Sequence, residues 1–498
     1  MAPGAEVELK FLFAEKDLAK LKAFLSAIAG AREVRRQRLR TIYFDTPTQD
    51  LWRSGFILRV REAGQKHYQT IKRLAPSSVQ RDEWEQETAG PEPDLSHVKA
   101  SPLAHLAGRP SIRRALRPAF DVDIERTSVC LESAGGLVEA SLDQGSISAH
   151  GESVPVCELE LELKTGELSS LFSLARSFVA QLPLHLSLIS KAERGHILAQ
   201  GGWGRAVKGS RPRLETAETC QQAFKEICRT CLHDFHLNIP ALRTFDPVEG
   251  VHQARVAIRR LRAAITLFTP IVQDGECARF RKELKWLARL LGAARDLDVL
   301  QANLVVHLSQ GEAMKGAAAP SVHCEAKRDR AFEGIIDALD SQRGRRLFLD
   351  LVEWIEAGQW QSASAALAGQ PLQEFVRRQL NKRWRKLVRG SAALAKLGPD
   401  KRHKIRLEAK RLRYMAEFFV AAPSFASDRP GLTALVNQCE TMQDALGTIR
   451  DEEAMAKFMK SEPVTLSSAD RKRLKSRIAK QLKAAVRSHS KLASIKPL

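Results

Sequence analysis

Hydrophobic and polar residues alternate with a period of two through much of the first two hundred positions. The stretch EVELKF (6–11) puts Glu6, Glu8 and Lys10 on one face of a strand and Val7, Leu9 and Phe11 on the other. The pattern returns in CELELELK (157–164), where Glu158, Glu160, Glu162 and Lys164 alternate with Leu159, Leu161 and Leu163. IYFDT, FILRVRE, HYQTIKR, RDEWEQET, DVDIERTSVCLE and GLVEASLDQGSISAH read as further strands. DLAKLKAFLSAIAG and LSSLFSLARSFVAQL read as amphipathic helices. Residues 1–200 are therefore expected to form an α+β domain with a large antiparallel sheet or barrel. GGWGRAVKGSRPR (201–213) reads as a linker. From 214 to 498 the period is that of helices, and an all-α bundle is expected.

The helical part contains a repeat. VHQARVAIRRLRAAITLF (251–268) aligns with RHKIRLEAKRLRYMAEFF (402–419), and LGAARDLDVL (291–300) with LGTIRDEEAM (446–455). Two alignments at nearly the same offset mark a duplicated unit. QGEAMKGAAAPS (310–321) between them is expected to be a loop.

Charge separates the halves. Residues 1–210 hold 28 Lys and Arg against 26 Asp and Glu, while the remainder holds 51 against 32. Such a basic half should meet polyanions. On a helix, His252, Arg255, Arg259 and Arg262 fall within an arc of about 80°, and His403, Arg406, Lys410 and Arg413 repeat the stripe. Nucleic acid is disfavoured as the partner, because three Tyr and 6% aromatics leave little surface for stacking bases. No apolar run is long enough to cross a membrane, and the N-terminus lacks a signal core. A reducing cytoplasm with eight free cysteines is expected. The group Cys228, Cys231, His233 and His236 has metal-like spacing, but on a helix these side chains spread too widely for one ion.

A strand face with rows of both charges makes sense if it lines an enclosed space. The residues on that face include Arg59, Arg61, Lys72, Arg81, Glu83, Glu85, Arg126, Glu139, Asp143, Lys191 and Arg194. Carboxylates without His or Cys suit Mg²⁺ or Mn²⁺. Clustered Arg and Lys suit phosphate oxygens. The combination describes a site for a metal-chelated polyphosphate.

These residues carry a resemblance. EVELK matches the ExExK signature of the CYTH superfamily, the triphosphate tunnel metalloenzymes, and YFDTP, LRVRE, TIK, QRDEWE, SLDQG, CELELEL and SKAERG follow in order. Together they resemble the bacterial inorganic triphosphatase branch. HQARVAIRRLR, from His252, resembles the signature helix of a CHAD domain. The resemblance implies an eight-stranded antiparallel barrel holding a triphosphate, hydrolysed to diphosphate and phosphate with Mg²⁺ or Mn²⁺. It implies catalytic roles for Glu6, Glu8 and Lys10, and metal binding by Glu6, Glu8, Glu85, Asp143, Glu158 and Glu160. Lys10, Arg59, Arg61, Lys72, Arg81, Arg126 and Lys191 would contact phosphate. Which two of Glu158, Glu160 and Glu162 bind metal stays open. The CHAD resemblance implies inorganic polyphosphate binding by the two basic stripes. Two other readings remain: an organic triphosphate (thiamine triphosphate, or ATP for cyclisation) held against Trp52, Trp84 and Phe56, or a protein that binds polyphosphate without catalysis. The sequence sets no oligomeric state.

Overall fold

The computed structural model describes residues 4–30, 32–74, 80–96, 98, 103–309, 318–363, 369–461 and 468–495. Two compact units emerge. The first comprises Met1–Arg205 with Ile239–Phe245 and Ala338–Ala357; the second comprises Ala206–Asn238, Asp246–Asp337 and Gly358–Leu498.

The first unit is built on one antiparallel sheet. Its strands are β1 (Gly4–Leu12), β2 (Arg35–Asp45), β3 (Phe56–Ala63), β4 (Lys66–Arg73), β5 (Gln80–Thr88), β6 (Arg117–Ser133), β7 (Gly136–Ala149), β8 (Glu152–Thr165) and the short β9 (His185–Ser187). The order is β5-β4-β3-β2-β6-β7-β8-β1-β9, with a further pairing between β5 and β1. β1 divides its hydrogen bonds: Gly4–Val7 pair with β5, and Glu8–Leu12 with β8. Counting β9, the described strands number nine where eight were expected.

Two tight turns set the register that matters. Ala134-Gly135 and His150-Gly151 each join adjacent strands in two residues, all four with positive φ. That backbone twist matches the twist of paired strands. The β6–β7–β8 register then places Arg126 opposite Asp143, and Asp143 opposite Glu158. On the next row of the same face Ser141 lies opposite Glu160, and Glu160 opposite Lys10.

The alternation resolves as a polar face and a packed face. Leu9, Phe11, Leu159 and Leu161 are buried. Helix α1 (Leu18–Ala29) packs on β6, and α2 (Leu168–Gln181) on β1, β6, β7 and β8. The helix Gln342–Ala357 also belongs to this unit, and its Glu353 accepts a hydrogen bond from Arg176 on α2. Helix α3 (Lys191–Ala199) starts at Ser190, whose hydroxyl accepts from the Glu193 amide. It lies so close to β6 that a Cβ on Gly195 would meet the Phe120 ring at 2.2 Å.

The second unit is helical. α4 (Cys220–Leu237) opens with a capping box between Thr219 and Gln222. Its Cys228, Cys231, His233 and His236 are buried in the bundle. The repeat appears as α5 (Pro247–Leu267) with α6 (Gly275–Ser309), and α7 (Pro399–Glu417) with α8 (Arg429–Ser461). Each pair packs together, and α5 also packs on α7. Pro opens both α5 and α7, where its missing N–H costs nothing. Residues 201–213 carry neither strand nor helix. Of the loop expected at 310–321, residues 310–317 lie outside the described residues, and Ala318 already begins a helix. The helix wins there because nothing in AAPSV breaks it once Pro320 sits in its first turn.

Candidate active site and basic cavity

The polar strand face of the first unit encloses a cavity of about 650 Å³. β1 supplies Glu6, Glu8 and Lys10, β3 Arg59 and Arg61, and β4 Lys72. Glu85, Arg126, Glu160 and Lys191 complete the expected set in its wall. Asp143 and Glu158 stand behind that wall, both fully buried. The backbone of Arg81 pairs with that of Glu6; its side chain lies outside the described residues.

The charges are interlocked. Arg126 grips Asp143 through two bonds of 2.6 and 2.7 Å and reaches Glu160 at 2.5 Å. The Lys191 ammonium lies 2.8 Å from Asp143, 2.8 Å from Glu160, and against Glu158. Arg194 holds the other Glu158 oxygen. Lys10 contacts Glu8 and lies 3.4 Å from Glu160. Lys72 bridges Glu6 at 2.6 Å and Glu83 at 3.2 Å. Burial disfavours ionised Glu160, but Lys191, Lys10 and Arg126 overcome it and hold its carboxyl well below the usual range. Glu6 is likewise lowered, with Lys72 and Lys10 outweighing burial. Arg61, beside Arg59 and buried, is pulled down to about 10. Burial lowers Lys191, yet Asp143, Glu158 and Glu160 lift it above its ordinary value.

Among the described residues, one group of three carboxylates brings its oxygens within 4.8 Å of one another: Asp143, Glu158 and Glu160. These hard oxygen donors fit Mg²⁺ or Mn²⁺. The geometry joins Glu158 and Glu160 and leaves out Glu162, which pairs with Lys164 at 2.8 Å. Glu6, Glu8 and Glu85 also lie outside the trio; Glu85 accepts from the Thr70 hydroxyl at 3.1 Å. Sequence reasoning missed the contribution of β2. Arg35, Gln37, Leu39, Thr41 and Tyr43 line the cavity at every second position. The expected strand starts only at Ile42, and the alternation in RRQRLRT was the available signal. Trp52, Trp84 and Phe56 do not line the cavity. Trp52 stacks on His196 at 3.8 Å, and the other two pack against the apolar cluster around Phe44 and Leu58.

In the second unit a cavity of about 490 Å³ lies between the repeats. Arg259 and Arg262 from α5 and Lys410 and Arg411 from α7 face it, with Arg281, Lys282 and Lys285 from α6. Among the described residues, no carboxylate lines it. Burial and then Arg259, Arg406, Arg255 and Arg413 depress Lys410 to about 6. Arg255 falls to about 10 through burial and Arg259, opposed by Asp296. His252 and His403 sit on the same stripes, both shifted down by burial first. The duplication explains two helical glycines. A Cβ on Gly292 would meet the Arg255 guanidinium at 3.7 Å, and one on Gly447 that of Arg406 at 3.2 Å. The two halves are not equivalent, however. Arg413 is bound to Glu417 at 2.8 Å and Glu440 at 3.0 Å, and it does not line the cavity as its counterpart Arg262 does.

Comparisons with family models find two domains in the chain. Residues 4–196 match the CYTH domain and residues 226–460 the CHAD domain. An inorganic triphosphatase of Haemophilus influenzae is 27% identical over 201 residues, 39% of this chain and 54% of that protein. The chain thus spans about half the length of that curated relative. An uncharacterized protein of Mycobacterium tuberculosis is 27% identical over 451 residues, 82% of each chain. The crystal structure of the CHAD domain from the plant Ricinus communis aligns with a TM-score of 0.43 at 23% identity, over 58% of this chain and 97% of that one. The chain therefore belongs with the proteins that join a CYTH domain, here residues 4–196, to a C-terminal CHAD domain, here residues 226–460.

Proposed function

We propose that the protein is a metal-dependent inorganic triphosphatase that hydrolyses tripolyphosphate to diphosphate and phosphate in the CYTH cavity. The observation that carries this reading is the trio of buried Asp143 and Glu158 with Glu160, the last in the wall of a cavity also lined by Arg59, Arg61, Lys72, Arg126 and Lys191. The triphosphatase relative and the additional pairing of β5 with β1, which brings Glu6 beside Arg81 in the strand register, support it.

The basic residues bind and orient the phosphate chain, leaving the terminal phosphorus open to in-line attack by water. Glu8, beside Lys10 in the wall, accepts the proton of the attacking water. The new P–O bond forms as the bond to the bridging oxygen breaks, and diphosphate leaves toward Lys10 and Arg126. A divalent ion held by Asp143, Glu158 and Glu160 would supply charge neutralisation on the phosphate oxygens.

The CHAD domain is proposed to bind inorganic polyphosphate at its basic cavity, through Arg259, Arg262 and Lys410. His252, Arg255, His403 and Arg406 on the same stripes add to the field. A cytoplasmic location is proposed with it. Among the described residues no helix is long and apolar enough to cross a membrane.

The test is phosphate release from tripolyphosphate, ATP, thiamine triphosphate, diphosphate and long polyphosphate, each with Mg²⁺, Mn²⁺ or EDTA. Metal-dependent release from tripolyphosphate above all others is expected. Preference for an organic triphosphate would overturn the substrate assignment, and release from none of them would overturn the enzyme.

A further inference from the structure

The carboxylate trio already has a cation at its centre. Lys191 contacts Asp143, Glu158 and Glu160 at once. Arg126, Arg194 and Lys10 hold the same carboxylates from outside. Three negative charges, two of them fully buried, thus meet four positive ones. A dication added here would add two more positive charges to a site that already holds one in excess, and would collide with the ammonium. A triphosphate changes the balance, because its oxygens attract the same Lys and Arg side chains.

We infer that Lys191 is an internal counter-cation that keeps a lone divalent ion out of the trio, and that metal enters only together with a triphosphate that draws Lys191 away. The inference rests on the reading of the cavity as a triphosphate site. It makes Lys191 a positioning residue that sets the order of binding. Nothing in it depends on hydrolysis.

The experiment is equilibrium dialysis of the full-length protein with Mn²⁺ at pH 7.5, counting metal retained per chain. Three arms are compared: wild type with Mn²⁺ alone, wild type with Mn²⁺ and an imido-bridged tripolyphosphate analogue, and Lys191→Met with Mn²⁺ alone. The same analogue arm on Glu160→Gln subtracts metal retained elsewhere, including on the CHAD domain. Wild type is expected to retain metal at the trio only with the analogue. Lys191→Met should bind one Mn²⁺ alone, at least about tenfold more tightly than wild type, a difference of about 1.4 kcal/mol. Wild type binding one Mn²⁺ alone as tightly as Lys191→Met would overturn the inference, as would no Mn²⁺ in any arm. Circular dichroism establishes whether Lys191→Met folds; if it does not, the wild-type arms decide, and one Mn²⁺ retained as tightly without the analogue as with it overturns the inference. Because dialysis does not read turnover, a protein that passes this test yet releases no phosphate would refute the proposed activity while leaving the inference intact.

Discussion

Gly195→Ala is the sharpest test of how the fold positions the site. Gly195 lies one turn after Lys191 on α3, and a methyl carbon added there would fall 2.2 Å from two atoms of the Phe120 ring. Carbon atoms pack no closer than about 3.5 Å, so about 1.3 Å of movement is required. Phe120 has little room. Its ring stacks on Tyr43 at 4.4 Å with a 16° interplanar angle, and both residues are buried. Tyr43 in turn lines the cavity and lies opposite Arg59 in the β2–β3 register. The helix must therefore shift, and Lys191 and Arg194 shift with it. Overpacking of this kind costs about 1–3 kcal/mol. Urea unfolding should show that loss as a lower midpoint. Phosphate release from tripolyphosphate should fall about tenfold at a temperature where the variant remains folded. A double-mutant cycle isolates the cause: on a Phe120→Leu background the cost of Gly195→Ala should shrink by about 1 kcal/mol or more. An unchanged midpoint in the single variant, or full additivity in the cycle, would refute the argument.

Three further outcomes follow from the second unit. Lys410 has a folded-state pKa of about 6, below its unfolded value, so the unfolded chain holds more protons between these values. Stability from this group should therefore rise with pH from about 6 to about 10.4, and polyphosphate binding near pH 8 should take up close to one proton. Calorimetry in buffers of different ionisation enthalpy would detect that proton, and Lys410→Met should abolish it. Arg262→Ala should weaken polyphosphate binding about tenfold, whereas Arg413→Ala, already paired with Glu417 and Glu440, should change it by less than about twofold; equal losses in a filter-binding assay would contradict the asymmetry. Gly292→Ala, with its methyl in ordinary contact at 3.7 Å, should stabilise the protein by up to about 1 kcal/mol, and Gly447→Ala, at 3.2 Å from Arg406, should gain less in thermal unfolding.

The sequence carried the face of each strand. Period-two alternation is local, so Glu6, Glu8 and Lys10 could be assigned to one side before any partner strand was known. The repeated stripes on α5 and α7 were legible for the same reason, since helical spacing alone groups His252 with Arg255, Arg259 and Arg262. The first half of β2 escaped because its alternation is written in Arg and Gln, and Arg35, Arg36, Gln37 and Arg38 stay exposed like an ordinary charged surface.

Tertiary structure alone decided which charges meet. Asp143, Glu158 and Glu160 converge because two-residue turns and strand register bring β7 beside β8, a relation that local periodicity does not contain. Glu6 and Glu8 share the same polar face yet are taken by Lys72 and Lys10. Arg262 and Arg413 occupy equivalent places in the repeat, and Glu417 on α7 together with Glu440 on α8 separates an open cation from a neutralised one. Alternation specifies where a side chain points; long-range packing specifies what it finds there, because charge pairing falls off over a few ångströms while the partners lie tens of residues apart.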